Sequence, residues 1–222
     1  MSRDLAGLKI VVVGATGVLG AELASQLKRG GAEVCAVVRD SAELNSEVIS
    51  QHAIADVTDR AAIRAAFEKL GPFDGVINAA GVVAFGALSD LDDATLVKLF
   101  EINAMAPIAM LRDSSTRIRE GGFFLNISGV VALAPMAGMA AYSASKAAAW
   151  AGMQGATREL RRQKIDVIDA RPPHTETGLA TRPIAGESPK LPTGLEPAFV
   201  AGRIIAAIKD GEKDLAVEYF SA

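Results

Sequence analysis

Tyr142 and Lys146 stand four residues apart at the end of the segment 126–146, which reads NISGVVALAPMAGMAAYSASK. On a helix, positions i and i+4 share a face. An ammonium held near a phenol favours the phenolate and lowers a tyrosine pKa from its usual value of about 10. Tyr142 is thereby a candidate proton donor and acceptor near neutral pH. The same spacing also describes a solvated helix face, so the meaning of the pair depends on what the rest of the chain builds around it.

The element that gives it context is at the other end of the chain. Residues 8–13 (LKIVVV) form a β-branched run of the kind buried on both faces of a parallel sheet. The glycine turn Gly14-x-x-Gly17-x-x-Gly20 follows at once. A helical pattern with Leu19, Leu23 and Leu27 comes next, ended by Gly30-Gly31. Strand, glycine turn and helix in succession form a phosphate-binding arrangement. The glycines let backbone approach a pyrophosphate, and the helix N-terminus offers free N–H groups. Residues 33–38 are a second strand. Arg39 follows it, where the adenosine ribose is expected; a cation there suits a 2′-phosphate and favours NADP over NAD, a preference that Asp40 weakens. Arg39 as a solvated turn residue is the alternative.

Residues 48–55 read as a weaker strand, with Thr58 capping a helix to Leu70 that Gly71-Pro72 closes. Asp56 meets an adenine amino group or serves as a second cap. Residues 73–77 are a fourth strand leading into Asn78-Ala79-Ala80-Gly81, small enough for a flat ligand to pass. Asp92 or Asp93 caps a long helix running to about Arg119, with Asn103 in its middle and a kink at Pro107. Asn103, flanked by apolar residues, needs buried partners. Residues 122–127 are a fifth strand ending at Ser128-Gly129. The helix of Tyr142 and Lys146 runs to about Gln163 and is rich in alanine and glycine, which permits close helix packing. Residues 165–170 are a sixth strand, broken by Arg171-Pro172-Pro173. Prolines 183, 189, 192 and 197 mark an irregular substrate flap at about residues 174–196. A last helix spans 197–209, and residues 214–217 form an edge strand.

Alternating strands and helices predict an α/β fold: a Rossmann-type, doubly wound parallel β-sheet with helices on both faces, in a single domain over residues 1–222. In such sheets ligands gather at the carboxyl ends of strands. Gly14, Arg39, Asp56, Asn78, Ser128 and Pro172 all fall there.

Composition excludes several functions. The 222 residues are 50% hydrophobic, enough for one buried core. A net charge of −3 offers no footprint for nucleic acid. One cysteine, Cys35, and two histidines, His52 and His174, exclude a disulfide and argue against a metal site. Residues 1–4 lack signal-peptide features, and no uninterrupted apolar run approaches 18 residues. A soluble cytoplasmic protein with no membrane partner is expected.

Together these pieces resemble the short-chain dehydrogenase/reductase family over essentially the whole chain. They are the glycine turn, Asp56-Val57, Asn78-Ala79-Ala80-Gly81, Asn103, Ser128, Tyr142-x-x-x-Lys146 and Pro172-Pro173-x-Thr175. The resemblance implies an NAD(P)-dependent oxidoreductase; the expected substrate is a small carbonyl or secondary alcohol, and Arg39 makes NADP(H) the preferred cofactor with NAD(H) possible. It implies that Tyr142 is the general acid or base and that Lys146 lowers its pKa and binds the nicotinamide ribose. Ser128 would bond the substrate oxygen, and Asn103 would hold a relay water. The cofactor would lie against Gly14, Thr16, Gly17, Val18, Leu19, Gly20, Arg39, Asp56 and Val57. It would continue past Asn78, Ala79, Ala80, Gly81, Tyr142, Lys146, Pro172 and Thr175. The family also implies a homodimer or homotetramer built through the helices carrying Asn103 and Tyr142.

The chain departs from the family pattern in three places. Its glycine spacing is that of the extended and atypical branches. The family's serine precedes the tyrosine by 13 residues, where this chain has Gly129; Ser128 stands 14 before. Pro172-Pro173-His174 replaces Pro-Gly. Two other readings follow from these departures: a non-catalytic dinucleotide-binding sensor or assembly protein, and an epimerase or dehydratase acting on nucleotide sugars, for which the chain is short. The expected substrate lining, residues 82–87, 130–137 and 174–191, is apolar and favours a hydrophobic or neutral substrate.

Overall fold

The β-branched runs build the centre of a seven-stranded sheet in the computed structural model, which describes residues 3–221. Met1 and Ser2, part of the stretch read as lacking a leader, lie outside the described residues. The strands are β1 (Lys9–Val13), β2 (Glu33–Val38), β3 (Ile49–Ile54), β4 (Phe73–Asn78), β5 (Ile118–Ile127), β6 (Asp166–Ala170) and β7 (Asp214–Leu215). Their order is β3-β2-β1-β4-β5-β6-β7, and every pairing is parallel. The expected doubly wound sheet is what forms. The strand order reverses between β1 and β4, which opens a crevice at their carboxyl ends.

Successive strand residues point to opposite faces, and each face has its own helices. Ile10 and Val12 pack with Leu23 and Leu27 of α1 (Val18–Arg29) and with Ile204 and Ile208 of α6 (Pro197–Asp210). Val11 and Val13 pack on the other side with Phe67 of α2 (Arg60–Leu70), Met110 of α4 (Ala106–Ser115) and Met153 of α5 (Ala140–Leu160). Burying each such side chain stabilises the fold by roughly 1.5–3 kcal/mol. A third cluster sits at the crevice, where Val83, Phe85, Leu99, Met139 and Tyr142 meet Leu179 and Ile184 of the flap.

Several local expectations are corrected. Asp59, not Thr58, caps α2, accepting from the amides of Ala61 and Ala62; Thr58 instead donates to Asp56. The long helix capped by Asp92 ends at Ser115, because β5 begins at Ile118 rather than at residue 122. Its middle is not kinked at Pro107. Helix α3 (Asp93–Phe100) widens into a π turn at Glu101–Met105, and Pro107 sits in the first turn of α4. Proline has no N–H for the carbonyl four residues back, and the wider turn accommodates that loss. The last strand is only Asp214–Leu215, followed by a 3₁₀ turn at Val217–Phe220.

The helical run Asp93–Ser115 is apolar enough to cross a membrane by composition, with mean hydropathy 1.4, but 44% of its apolar window is buried within the fold. Leu99, Met110 and Leu111 of this run are core residues.

Candidate active site

Five loops at the carboxyl ends of the strands bring the sequence motifs to one crevice. The glycine turn after β1 is held by close approach. Gly14 has φ 83°, and a Cβ built on it would lie 3.0 Å from the amide nitrogen of Ala80 after β4. A Cβ on Gly20 would lie 2.2 Å from the Gly14 carbonyl. The turn delivers the N-terminus of α1, where Gly17 is the cap residue, no side chain caps the helix and no acid occupies the first turn. These are the properties of an anion cradle, and they fit the pyrophosphate of a dinucleotide. Thr16, Val18 and Leu19 lie at this rim, with Val18 exposed.

Where the adenosine is expected, Arg39 is exposed just past β2. Asp56 accepts two hydrogen bonds from Thr58, from its amide at 2.8 Å and its hydroxyl at 2.6 Å. Those bonds, with Arg39 nearby, hold its carboxyl below the usual aspartate range. Asp56 thus makes the turn of a local cap and remains at the surface. Val57 packs its side chain against the α2 face of the core.

Asn78 does not reach into the crevice through a free amide. Its Nδ2 donates to Asn126 Oδ1 at 2.9 Å, and its Oδ1 accepts from the Ala80 amide at 3.2 Å. It braces the turn that carries Ala79, Ala80 and Gly81. Asn103, in the π turn, accepts from the Val82 amide at 3.0 Å and donates to the Val82 carbonyl and to Ser145 Oγ. A Cβ on Gly81 would lie 3.3 Å from Asn103 Oδ1 and 3.4 Å from Lys146 Nζ, so the amide and the ammonium converge on the same glycine. Only a second lone pair of Asn103 Oδ1 remains for a water.

Tyr142 and Lys146 lie one turn apart in α5 and are 9% and 8% exposed, which removes the solvated-face reading. Lys146 Nζ is 6.0 Å from the centre of the Tyr142 ring and donates to the Ile127 carbonyl at 2.8 Å. The expected acidification of the phenol is not what this arrangement produces. Burial pushes Tyr142 up to about 12. Burial also brings Lys146 down to about 8, opposed by the charge of Asp169. Desolvation is the dominant cause for both groups.

Ser128 is a second correction. It is fully buried, and its hydroxyl donates to Asp169 Oδ1 at 2.5 Å, so its one proton is not available to a substrate oxygen. At the next position Gly129 has φ 81°, a left-handed conformation that a serine would adopt only with strain. Pro172 is buried and its carbonyl accepts from the Val130 amide; Thr175 donates its hydroxyl to the Pro173 carbonyl.

The flap is closed at its neck by a bridge between Thr175 and Leu195. It is laced to the loop after β4 by the Ile184 amide on the Val83 carbonyl and the Phe85 amide on the Ala185 carbonyl. A cavity of about 190 Å³ lies beneath, lined mainly by apolar residues, Phe85, Leu88, Leu99 and Met139 among them, with Tyr142, Asp90 and Asp92 also in its wall. Of the residues expected to line it, Leu133 and Met136 are exposed instead, and residues 138–141 take that place.

A family model described as short chain dehydrogenase matches residues 9–187. The chain belongs to the short-chain dehydrogenase/reductase family. It is therefore an oxidoreductase by family, as the sequence motifs implied. An uncharacterized oxidoreductase of Methylorubrum extorquens is 30% identical over 213 residues, covering 90% of this chain and 85% of the relative. A cyclic-di-GMP-binding biofilm dispersal mediator protein of Escherichia coli is 31% identical over 80% of this chain and 78% of its own. Among solved structures, a short chain dehydrogenase of Burkholderia cenocepacia in complex with NADP is similar, with 26% identity and a TM-score of 0.83; the match covers 97% of this chain and 98% of that one.

What sequence reasoning missed in this family member lies beneath the site. Asp169 and Arg171 are buried at the end of β6, and Asn126 on β5 joins them. The signal was present: a strand buried on both faces should read almost wholly apolar, and Asp169 interrupts it.

Proposed function

We propose that the protein transfers a hydride between NADP(H) and an apolar carbonyl or secondary alcohol, with Tyr142 exchanging the proton. The observation that carries this reading is the burial of Tyr142 and Lys146 together, with Tyr142 lining a mainly apolar cavity and an anion cradle at the N-terminus of α1. When bound, the nicotinamide supplies or accepts the hydride. Tyr142 Oη gives its proton to the substrate oxygen in reduction and takes it in oxidation. Lys146 fixes positive charge beside the phenol and hydrogen-bonds a ribose hydroxyl. Asn103 holds a water through its remaining lone pair. Gly14, Thr16, Gly17, Val18, Leu19 and Gly20 cradle the pyrophosphate, and Arg39 pairs with a 2′-phosphate. Asp56, Val57 and the segment 78–81 flank the adenine and nicotinamide riboses, with Pro172 and Thr175 beside the nicotinamide. Ser128 is left out of the catalytic set on the geometry above.

The flap at residues 174–196 excludes water from the cavity. The exposed apolar residues Val97, Met105 and Ile108 on the helices around Asn103 support pairing of subunits as a dimer or tetramer, and core packing of that helix supports a soluble protein. A non-catalytic NADP-binding role is the second reading. It is favoured by the captured Ser128 hydroxyl and by the name of the Escherichia coli relative. A panel of aryl and alkyl ketones assayed with NADPH separates the two. Turnover on any member supports the enzyme. A large thermal shift with NADPH, no turnover, and no change on Tyr142→Phe would favour the sensor.

A further inference from the structure

Asp169 is a buried carboxylate, 1% exposed, for which the proposed reaction has no use. Burying a carboxylate is costly unless donors surround it. Three do: Ser128 Oγ at 2.5 Å, Asn126 Nδ2 at 3.2 Å and Arg171 Nη1 at 3.4 Å. Arg171 is itself drawn outward, because its Nη1 lies 2.6 Å from Asp214 on β7, whose side chain is 63% exposed. On the other side, Lys146 of α5 donates to the carbonyl of Ile127, and the next residue, Ser128, donates to Asp169. The ammonium and the carboxylate are thus anchored to consecutive residues at the end of β5.

We propose that Asp169 is a positioning residue of this site: it draws the Ser128 hydroxyl away from the crevice and balances the Lys146 charge from beneath. This rests on the proposed reading of Lys146 as a charged partner of Tyr142. The groups that contact Asp169 are Asn126 on β5, Ser128 just after it and Arg171 just after β6, and the charge of Lys146 on α5 also acts on it. Asp214 of β7 faces Arg171. Burial raises the Asp169 carboxyl, while these donors and the two cations pull it back down. The charge of Asp169 in turn raises Lys146 against its own desolvation. The hydroxyl at position 128 and the ammonium at 146 are therefore set by one buried group.

The test is NMR titration of the full chain labelled at lysine Cε and aspartate Cγ, with Lys146 assigned through Lys146→Arg. The native Lys146 midpoint is expected near 8. In Asp169→Asn it should fall by about one unit or more, since a nearby opposite charge shifts a pKa by roughly 1–3 units. In the unsubstituted protein, Asp169 Cγ should report the same midpoint as Lys146 Cε. That second measurement needs no variant and stands even where Asp169→Asn does not fold. A Lys146 midpoint unmoved in a folded Asp169→Asn, or an Asp169 carbon flat through the Lys146 transition, overturns the assignment. Neither outcome depends on turnover. A Tyr142→Phe protein that still reduces ketones sinks the proposed function and leaves this coupling standing.

Discussion

Tyr142 and Lys146 share a buried face of α5, with the ammonium 6.0 Å from the ring centre, and burial drives the phenol and the amine each toward its own neutral form. The phenol stays protonated to about 12, and the amine loses its charge near 8. In the free protein Tyr142 is therefore poised as an acid. The pH dependence of kcat/KM, which reports groups of the free enzyme, should show an alkaline limb near 8 from Lys146. Reduction should outpace oxidation at neutral pH. A profile flat from pH 7 to 10 contradicts this.

A buried ammonium is a burden on the fold as well as a tool. Lys146 has a folded pKa below its unfolded value, so its destabilising effect is full below about 8 and disappears as pH rises toward 10.5. Lys146→Met should therefore stabilise the protein at pH 7. The gain is on the order of 1–3 kcal/mol, less the loss of the bond to Ile127, and shrinks by pH 10. Urea unfolding of both proteins at the two pH values measures it. Equal stability at pH 7 would show that the site carries no such desolvation.

Arg39 stands exposed just past β2, where the proposed function puts the adenosine, with Asp40 beside it. A charge-assisted pairing is worth about 1.5–3 kcal/mol. Arg39→Ala should weaken NADPH binding roughly tenfold to a hundredfold. NADH binding should stay within about twofold, since it has no 2′-phosphate to lose. Isothermal titration with each dinucleotide decides the point; parallel losses would remove Arg39 from the 2′-phosphate.

Gly186 pins the flap. It has φ 69°, and a Cβ there would fall 1.9 Å from the Phe85 carbonyl. Gly186→Ala must lift this strip of flap from the loop after β4. It should raise KM severalfold and speed amide exchange at Ile184 and Ala185, leaving the thermal shift with NADPH unchanged. An unaltered KM would mean that the flap does not close the substrate cavity.

The sheet was legible because its central strands are nearly all apolar and β-branched, and the glycine turn because only glycine fits where Gly20 packs on Gly14. The first helix was readable for the same reason: its leucines recur at helical spacing. Boundaries failed where two residues compete for one role. Thr58 and Asp59 are both cap formers, and the choice between them depends on the Asp56 turn. The π turn around Asn103 left no mark beyond Pro107. The phenol was expected to be acidified because spacing reveals proximity, whereas burial is set by Leu179, Ile184 and the rest of the flap cluster, remote in sequence. The captured serine escaped notice because its partner, Asp169, is 41 residues away.

The most direct measurement is single-turnover reduction of a ketone by Tyr142→Phe loaded with NADPH, beside the thermal shift that NADPH gives the same variant. Hydride transfer should fall by roughly a hundredfold or more, the scale of general acid catalysis, with the thermal shift intact. Undiminished transfer in that variant would contradict a proton-donating role for Tyr142.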